Sequence, residues 1–312
     1  HCNFNVLVNT GRTSSYGDEH GGFNAQQIPR LPGIRECLEA RTGYVLSACD
    51  FESQEMRTWA EACSVIVGRS VLAERYRKNP DFDPHTAFAA NLLGVTEEEA
   101  LARKKAKDPE LKAARQNSKP GNFGAPGGMG VEGLISYARS YAGLKWRDAE
   151  NCRGCATRGP SREHSCFAAR VRDAWFRQWP EARGYFAHTS SIAEGSGVVV
   201  SLYSGRVRGG VKYTDCSNHY FQALAADASK RALWRVVRAC FDPSLRSPRL
   251  GCRPWNFAHD ETIVEAPEDR AAEAAEEQKR LHEEAMQPLT PHLPARASSS
   301  LMRAWSKAAR KP

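Results

Sequence analysis

Phe257-Ala-His259-Asp260-Glu261-Thr-Ile-Val-Glu265 carries two apolar, strand-like runs around a short polar turn. Far upstream, Tyr44-Val-Leu-Ser-Ala-Cys-Asp50-Phe51-Glu-Ser-Gln-Glu55-Met-Arg57 passes from a buried strand straight into a helix. Each segment sets an acidic residue, Asp50 or Asp260, at the edge of an apolar run. Two carboxylates delivered from separate strands can hold a pair of magnesium ions. Two such metals, about 4 Å apart, stabilise both the entering and the leaving oxygen of an in-line phosphoryl transfer. Each residue taken alone has a plainer reading. A strand-end Asp is commonly a helix cap, and Asp is common in turns. The joint pattern is what carries information.

The chain has 312 residues, enough for one large domain or two with ample core. Its formal net charge of +8 favours a polyanionic partner, although ribosomal and membrane-surface proteins share that property. No apolar run approaches a membrane span, and the polar first 20 residues hold no signal-peptide core. Ten cysteines without a secretory signal fit reduced thiols or a metal site better than a disulfide framework. The chain opens at His1, inside what reads as an interior piece of structure. That fits a fragment lacking its upstream part, and a processed amino terminus is the alternative.

Residues 1–33 read as mostly loop. Residues 44–49 read as a strand and Ser53–Val67 as a helix. Asp83-Pro84 and Asp108-Pro109 each pair an N-cap with proline at the first helical position, opening helices over 84–93 and 109–119. Pro120 is expected to kink the second just after Lys119. The glycines at 121, 124, 127, 128 and 130 then crowd a segment that cannot be helix throughout. Helices follow over 131–142, 163–178, 181–195 and 218–240, with a strand over 198–203. Strands over 253–258 and 262–266, a charged helix over 268–284 and a strand over 296–300 complete the reading. Strands cluster at both ends of the chain and helices fill the middle. The fold class is α+β: an antiparallel sheet built from distant segments, with a helical insertion.

Several ordered motifs resemble the palm and fingers of family A, polymerase I type, DNA polymerases. Asp50-Phe-Glu-Ser-Gln-Glu-Met-Arg57 resembles motif A, Arg115-Gln-Asn-Ser-Lys119-Pro-Gly-Asn-Phe123-Gly motif B, and His259-Asp-Glu261 motif C. Thr10-Gly-Arg12-Thr-Ser-Ser15 and Asn24-Ala-Gln26-Gln-Ile-Pro29 resemble the primer-template segment before motif A. Asp83-Pro-His85 resembles a fingers segment. Asn218 and Gln222, before Ala225-Ala-Asp227, resemble a palm helix that reads the minor groove.

The resemblance implies a palm over 1–66 and 197–312 and fingers over 67–196. It implies template-directed DNA synthesis on primer-template DNA with dNTPs, in replication or repair, by two-metal nucleotidyl transfer. Two Mg²⁺ ions would sit on Asp50, Asp260 and the carbonyl of Phe51. Arg115, Lys119 and Phe123 recur every four residues and share one helix face. Two cations and an aromatic in line suit a triphosphate with a base stacked beyond it; a basic surface helix is the plainer reading. His85 would add a phosphate contact, and Glu55 would exclude a ribose 2′-hydroxyl. Arg12, Asn24, Gln26, Asn218, Gln222 and His259 would contact DNA. Lys119 would also be catalytic. A monomer in the cytoplasm of a bacterial or phage-infected cell is expected, with the family's thumb and exonuclease domain outside this chain.

Some positions depart from the family pattern. Gly127 stands where motif B usually has tyrosine, which puts sugar discrimination in doubt; the Ala125-Pro-Gly-Gly128 form is similar to phage-encoded relatives. Thr214 replaces an arginine and Ala223 a glycine. Cys152, Cys155, His164 and Cys166, in an insertion over 150–168, have spacings that suit a structural zinc site; unpaired thiols in a surface loop are the alternative. A single-subunit RNA polymerase and a catalytically inactive nucleic-acid-binding remnant are the competing functions.

Overall fold

The computed structural model describes residues 2–6, 8–17, 24–29, 31–146, 166–247 and 249–306. The chain divides into two units. One comprises His1–Gln54, Ser201–Gly205 and Gln222–Pro312, and the other Glu55–Val200 and Arg206–Phe221.

The first unit is built on an antiparallel sheet of β3 (Tyr44–Phe51), β6 (Arg253–Ala258), β7 (Glu261–Pro267) and β8 (Ala297–Met302), in the order β6-β7-β3-β8. The apolar run Val45–Cys49 is buried throughout, because β3 lies between two strands and both sheet faces are covered. On one face Leu46, Ala48, Ala258 and Ile263 meet Met302 and Trp305. On the other, Cys49 and Phe51 meet Leu224, Ala228, Ala285 and Met286. These come from the carboxyl-terminal part of one helix, Tyr213–Phe241, and from another, Ala271–Met286. Full burial contributes about 1.5–3 kcal/mol for each of the larger side chains, Leu46, Phe51, Leu224, Ile263 and Met286, and less for the alanines. Pro254 is tolerated because β6 is an edge strand, and the register shifts between Pro254 and Asn256.

A polar network lies buried under the sheet. Ser47 Oγ donates to Gln278 Oε1 at 2.6 Å, and Gln278 Nε2 donates to the carbonyl and hydroxyl of Thr262 at 2.9 and 2.8 Å. Arg249, fully buried, donates to Gln278 Oε1 at 3.2 Å. Such a network specifies register, since slipping a strand by one residue would strand every member.

The second unit is helical. It contains most of α1 (Gln54–Val67), then α2 (Val71–Lys78), α3 (Pro84–Leu93), α4 (Glu97–Lys105), α5 (Pro109–Gly124) and α6 (Val131–Ala142). After these come α7 (Phe167–Gln178), α8 (Ala182–Glu194) and the start of α9 (Tyr213–Phe241); α10 is Ala271–Met286, in the first unit. Trp59, Trp175 and Tyr185 are fully buried, with Trp59 centroids 5.1 and 6.1 Å from the other two rings. Buried Glu181 accepts from Ser70 Oγ at 2.8 Å and from the Leu72 amide at 3.1 Å, which anchors the amino terminus of α2.

Several local expectations need correction. Pro120 does not end α5, which runs unbroken to Gly124 before a 3₁₀ turn over Ala125–Gly127. Gly121 and Gly124 lie inside the helix because neighbours press on them. A Cβ on Gly121 would lie 2.7 Å from Phe88 Cε1, and one on Gly124 2.8 Å from Met129 Sδ. The 198–203 segment holds only a two-residue strand, β4 (Val199–Val200), paired with β5 (Val207–Arg208). The amino-terminal segment, read as loop, forms a short hairpin of β1 (Asn3–Asn5) and β2 (Ser14–Tyr16).

Candidate active site

The ladder between β3 and β7 ends at Cys49↔Thr262. Asp50 is the next residue out on β3. Asp260 is two residues before Thr262, in the turn closed by the Ala258↔Glu261 pair. Both aspartates therefore lie at the same end of the sheet on neighbouring strands. Asp50 is exposed and Asp260 half-buried, so both carboxylates reach solvent. The turn is strained: His259 has φ 62°, a left-handed conformation that costs a non-glycine residue on the order of 1 kcal/mol. Strain of that kind concentrates at functional sites. Ser53, where β3 turns into α1, has φ 51°.

Asp260, His259 and Phe257 line a small cavity together with Arg12, Thr13, Gln54, Ala225, Ala226, Ser229 and Lys230, all in the first unit. Asp50 is not among the lining residues. Gln54 Nε2 spans to the Ala225 carbonyl at 3.1 Å and Ser229 Oγ at 3.0 Å, which ties the start of α1 to α9. Gln26 and Asn24 are engaged in the loop itself. Gln26, 4% exposed, donates from Nε2 to Thr13 Oγ1 at 2.8 Å, and Asn24 Oδ1 accepts from the amides of Gln26 and Gln27, each at 3.1 Å. They hold the loop that carries Arg12 and Thr13. Gln222 is half-buried on α9.

In the second unit, α3 and α5 assemble a second constellation. Asp83 caps α3 by accepting from the amides of His85 and Thr86 at 3.0 and 3.2 Å. Its other oxygen accepts from Arg115 Nη2 at 2.8 Å and Lys104 Nζ at 2.7 Å. Burial alone would raise this carboxyl, but the Lys104 hydrogen bond and the Arg115 charge hold it well below the usual carboxylate range. Arg115 is thus held in place, with Nε also donating to Thr86 Oγ1 at 3.0 Å.

His85 is 7% exposed, and its ring lies 5.0 Å from that of Phe123. Asn122 Nδ2 donates to the Pro84 carbonyl at 3.2 Å and faces His85 Nδ1 at 3.1 Å. A carbonyl can only accept, which fixes the amide orientation, so Nδ1 accepts and Nε2 carries the proton. Burial, and then the charges of Arg115 and Lys119, push the His85 pKa down to about 4 against the opposing pull of Asp83. At neutral pH His85 is therefore a neutral N–H donor. Lys119 and Phe123 are half-buried on the same helix, and Glu55 is half-buried in the first turn of α1.

Sequence reading missed Lys104 and Asn122. Asn122 lies seven residues after Arg115, two turns along the same helix face, and that spacing was the available signal. The position of Gly127 also acquires a cause. A Cβ there would lie 2.4 Å from Asn218 Oδ1, so the Asn218 side chain fills the space of a larger residue at 127. Asn218 Nδ2 donates to the Thr214 carbonyl at 2.8 Å.

Of the candidate zinc ligands, Cys152, Cys155 and His164 lie outside the described residues, as does the start of the helix expected from 163. Cys166 is buried, in no disulfide, at the amino terminus of α7. Among the described residues, no group of three or more His, Cys, Asp and Glu is arranged to hold a metal. The two-aspartate end of the sheet fits magnesium nonetheless, because its donors are hard oxygens and Mg²⁺ completes its shell with waters and phosphates. No helix among the described residues is long and apolar enough to cross a membrane.

DNA polymerase I of Aquifex aeolicus is 24% identical over 96% of the chain and 44% of its own length. The thermostable DNA polymerase I of Thermus filiformis is 28% identical over 99% of the chain and 32% of its own length. The DNA polymerase of Mycobacterium phage D29 is 26% identical over 86% of the chain and 36% of its own length. The chain thus spans about a third to under a half of these relatives. The POL domain of Pol1 from M. smegmatis, solved in complex with DNA primer-template and dNTP, superposes with a TM-score of 0.69 over 98% of this chain and 48% of its own. At 23% identity that likeness shows the fold: helices with an antiparallel sheet, the α+β class expected from sequence. The model of DNA polymerase family A matches residues 1–307, and the chain belongs to that family.

Proposed function

We propose that this chain carries the palm and fingers of a DNA-directed DNA polymerase and performs template-directed nucleotidyl transfer from a dNTP to a primer 3′-hydroxyl. The observation that supports this most is the shared end of β3 and β7, where Asp50 and Asp260 follow one another across the ladder. Asp50, Asp260 and the Phe51 carbonyl would hold two Mg²⁺ ions. When bound, these ions would supply Lewis-acid stabilisation of charge on the entering and leaving oxygens.

The residues of the chain would bind and orient the substrates. His85 would offer its Nε2–H to a phosphate oxygen as a neutral donor, a state its burial enforces. Lys119 would supply positive charge to the triphosphate. Arg115, fixed by Asp83, would present a preorganised guanidinium. Phe123 would offer a stacking face, and Glu55 would exclude a 2′-hydroxyl. In the first unit, Arg12, His259 and Gln222 would contact the primer end and minor groove. Asn218, in the second, would support motif B through residue 127. Asn24 and Gln26 would act by holding the Arg12 loop.

Primer extension compared with gel-shift binding tests the proposal. Asp50→Asn and Asp260→Asn are expected to lower extension with Mg²⁺ or Mn²⁺ by at least about 10³-fold, the equivalent of the several kcal/mol that metal charge stabilisation supplies. DNA binding should be spared. A wild-type chain that binds primer-template yet adds no nucleotide would leave only a binding function. An active double variant would remove the metal assignment.

A further inference from the structure

Most arginines with a defined environment in the second unit are engaged. Arg115 pairs with Asp83, Arg103 with Glu99 and Glu110, and Arg208 with Asp215. Arg172, Arg177 and Arg183 are different. Together with Asp173 and Phe176 they line a cavity of about 530 Å³ on α7 and α8. Among the described residues none of the three guanidinium groups forms an ion pair, although Asp173 is four residues from Arg177 on one helix. Arg172 Nε is a buried donor without a hydrogen-bond partner.

Two of the cations are ordered by one ring. The Arg172 guanidinium lies 4.9 Å from the Phe176 centroid and that of Arg183 6.0 Å. Phe176 is itself fixed, with centroid distances of 5.3 Å to Trp175 and 5.7 Å to Phe186. A guanidinium that interacts with an aromatic ring keeps in-plane N–H groups for an acceptor, and the ring restricts its rotamers before any ligand arrives. Three converging, unpaired cations also repel one another, and a bound anion would relieve that. Asp173 is the single carboxylate in the lining and opposes an anion, so the local balance is two positive charges.

We propose that this cavity is a site for phosphates of single-stranded nucleic acid, separate from the constellation of Asp83, His85, Arg115 and Lys119. The cations are spread over two helices, which suits successive backbone phosphates better than one small anion. The proposal rests on the polymerase reading only for the identity of the polyanion.

The test measures binding of a fluorescein-labelled oligo(dT) 20-mer to the whole chain by anisotropy, between 50 and 200 mM KCl. Each phosphate contact on a single strand adds about 0.7 to the slope of log affinity against log salt. The variant Arg172→Gln/Arg177→Gln/Arg183→Gln should therefore have a slope shallower by about 2. Over that range the wild type should lose about 20-fold more affinity than the variant. The pair Arg177→Gln/Arg183→Gln changes only exposed residues and guards against misfolding; its slope should be shallower by about 1.4. Unchanged slopes in both variants overturn the site. Inorganic pyrophosphate alone is the second probe. Arginine-dependent pyrophosphate binding with unchanged oligo(dT) slopes would overturn the single-strand assignment.

Primer extension on a template with a one-nucleotide overhang separates this from the main reading. Wild-type extension with unchanged slopes refutes the cavity alone. Shallower slopes in a chain that never extends a primer refute the polymerase reading alone.

Discussion

The contact between Gly127 and Asn218 gives a stability prediction that can be worked through. Replacing Gly127 by alanine places a Cβ 2.4 Å from Asn218 Oδ1 and 2.8 Å from Nδ2, closer than real Cβ contacts allow. The backbone cannot yield cheaply there, because residue 127 ends a 3₁₀ turn and Gly128 follows with φ 78°. Asn218 has to rotate away, and it then gives up its 2.8 Å bond to the Thr214 carbonyl. That loss is about 1 kcal/mol, and an off-rotamer side chain adds about 0.5–1.5 kcal/mol. Gly127→Ala should therefore destabilise by about 1.5–2.5 kcal/mol. In an Asn218→Ala background the obstacle is gone. Gly127 does not have positive φ, so alanine should then be neutral or stabilise by up to about 1 kcal/mol through the unfolded chain. Urea unfolding of the four proteins, followed by tryptophan fluorescence, gives the coupling energy directly. Equal destabilisation by Gly127→Ala in both backgrounds would show that Asn218 is not what requires glycine.

Two further outcomes are expected. His85 and His282 are both pushed down to about 4, in each case by burial first, whereas an unfolded histidine titrates near 6.5. Between those values the unfolded chain binds more protons, so stability falls as pH drops through that window, by about 1.6 kcal/mol per histidine from pH 6.5 to 5. A His85→Gln protein should lose about 1.6 kcal/mol less than wild type over that range, and an identical loss would mean that His85 is charged when folded. Glu55→Ala should lower discrimination between dNTP and rNTP about tenfold, equivalent to about 1.4 kcal/mol, as read by competitive primer extension; an unchanged ratio would remove Glu55 from that role.

What could be read from the sequence was what short-range chemistry determines. The apolar run 45–49 gave β3 because it is buried on both faces. Asp83-Pro84 and Asp108-Pro109 marked the starts of α3 and α5, and both aspartates do accept amide hydrogens there. The same logic was available for α4, where Thr96 accepts from the Glu99 amide in a Thr-x-x-Glu capping pattern, and for α2 behind Ser70; neither helix was read. The site was legible as residue types in order, and less so as contacts. Nothing near Arg115 in sequence says that Asp83, 32 positions away, holds it, or that Asn218 fills the space beside Gly127 from 91 positions away.

Pro120 and the following glycines show why local rules failed there. A proline inside a helix costs about 3 kcal/mol and each glycine up to about 1 kcal/mol. Helix α5 accepts both because Gly121 admits Phe88 of α3 at a distance that a Cβ would not allow, with Val171 of α7 also close against it. Ser118 Oγ donates to the His85 carbonyl at 3.0 Å and fastens the same stretch to α3. The residues that look like helix breakers are therefore the ones that bring α5 against α3. That close approach puts Asn122 within reach of His85 and thereby sets which imidazole nitrogen carries the proton. A regular helix former at 121 would push α3 and α5 apart and undo the contact between His85 and Asn122.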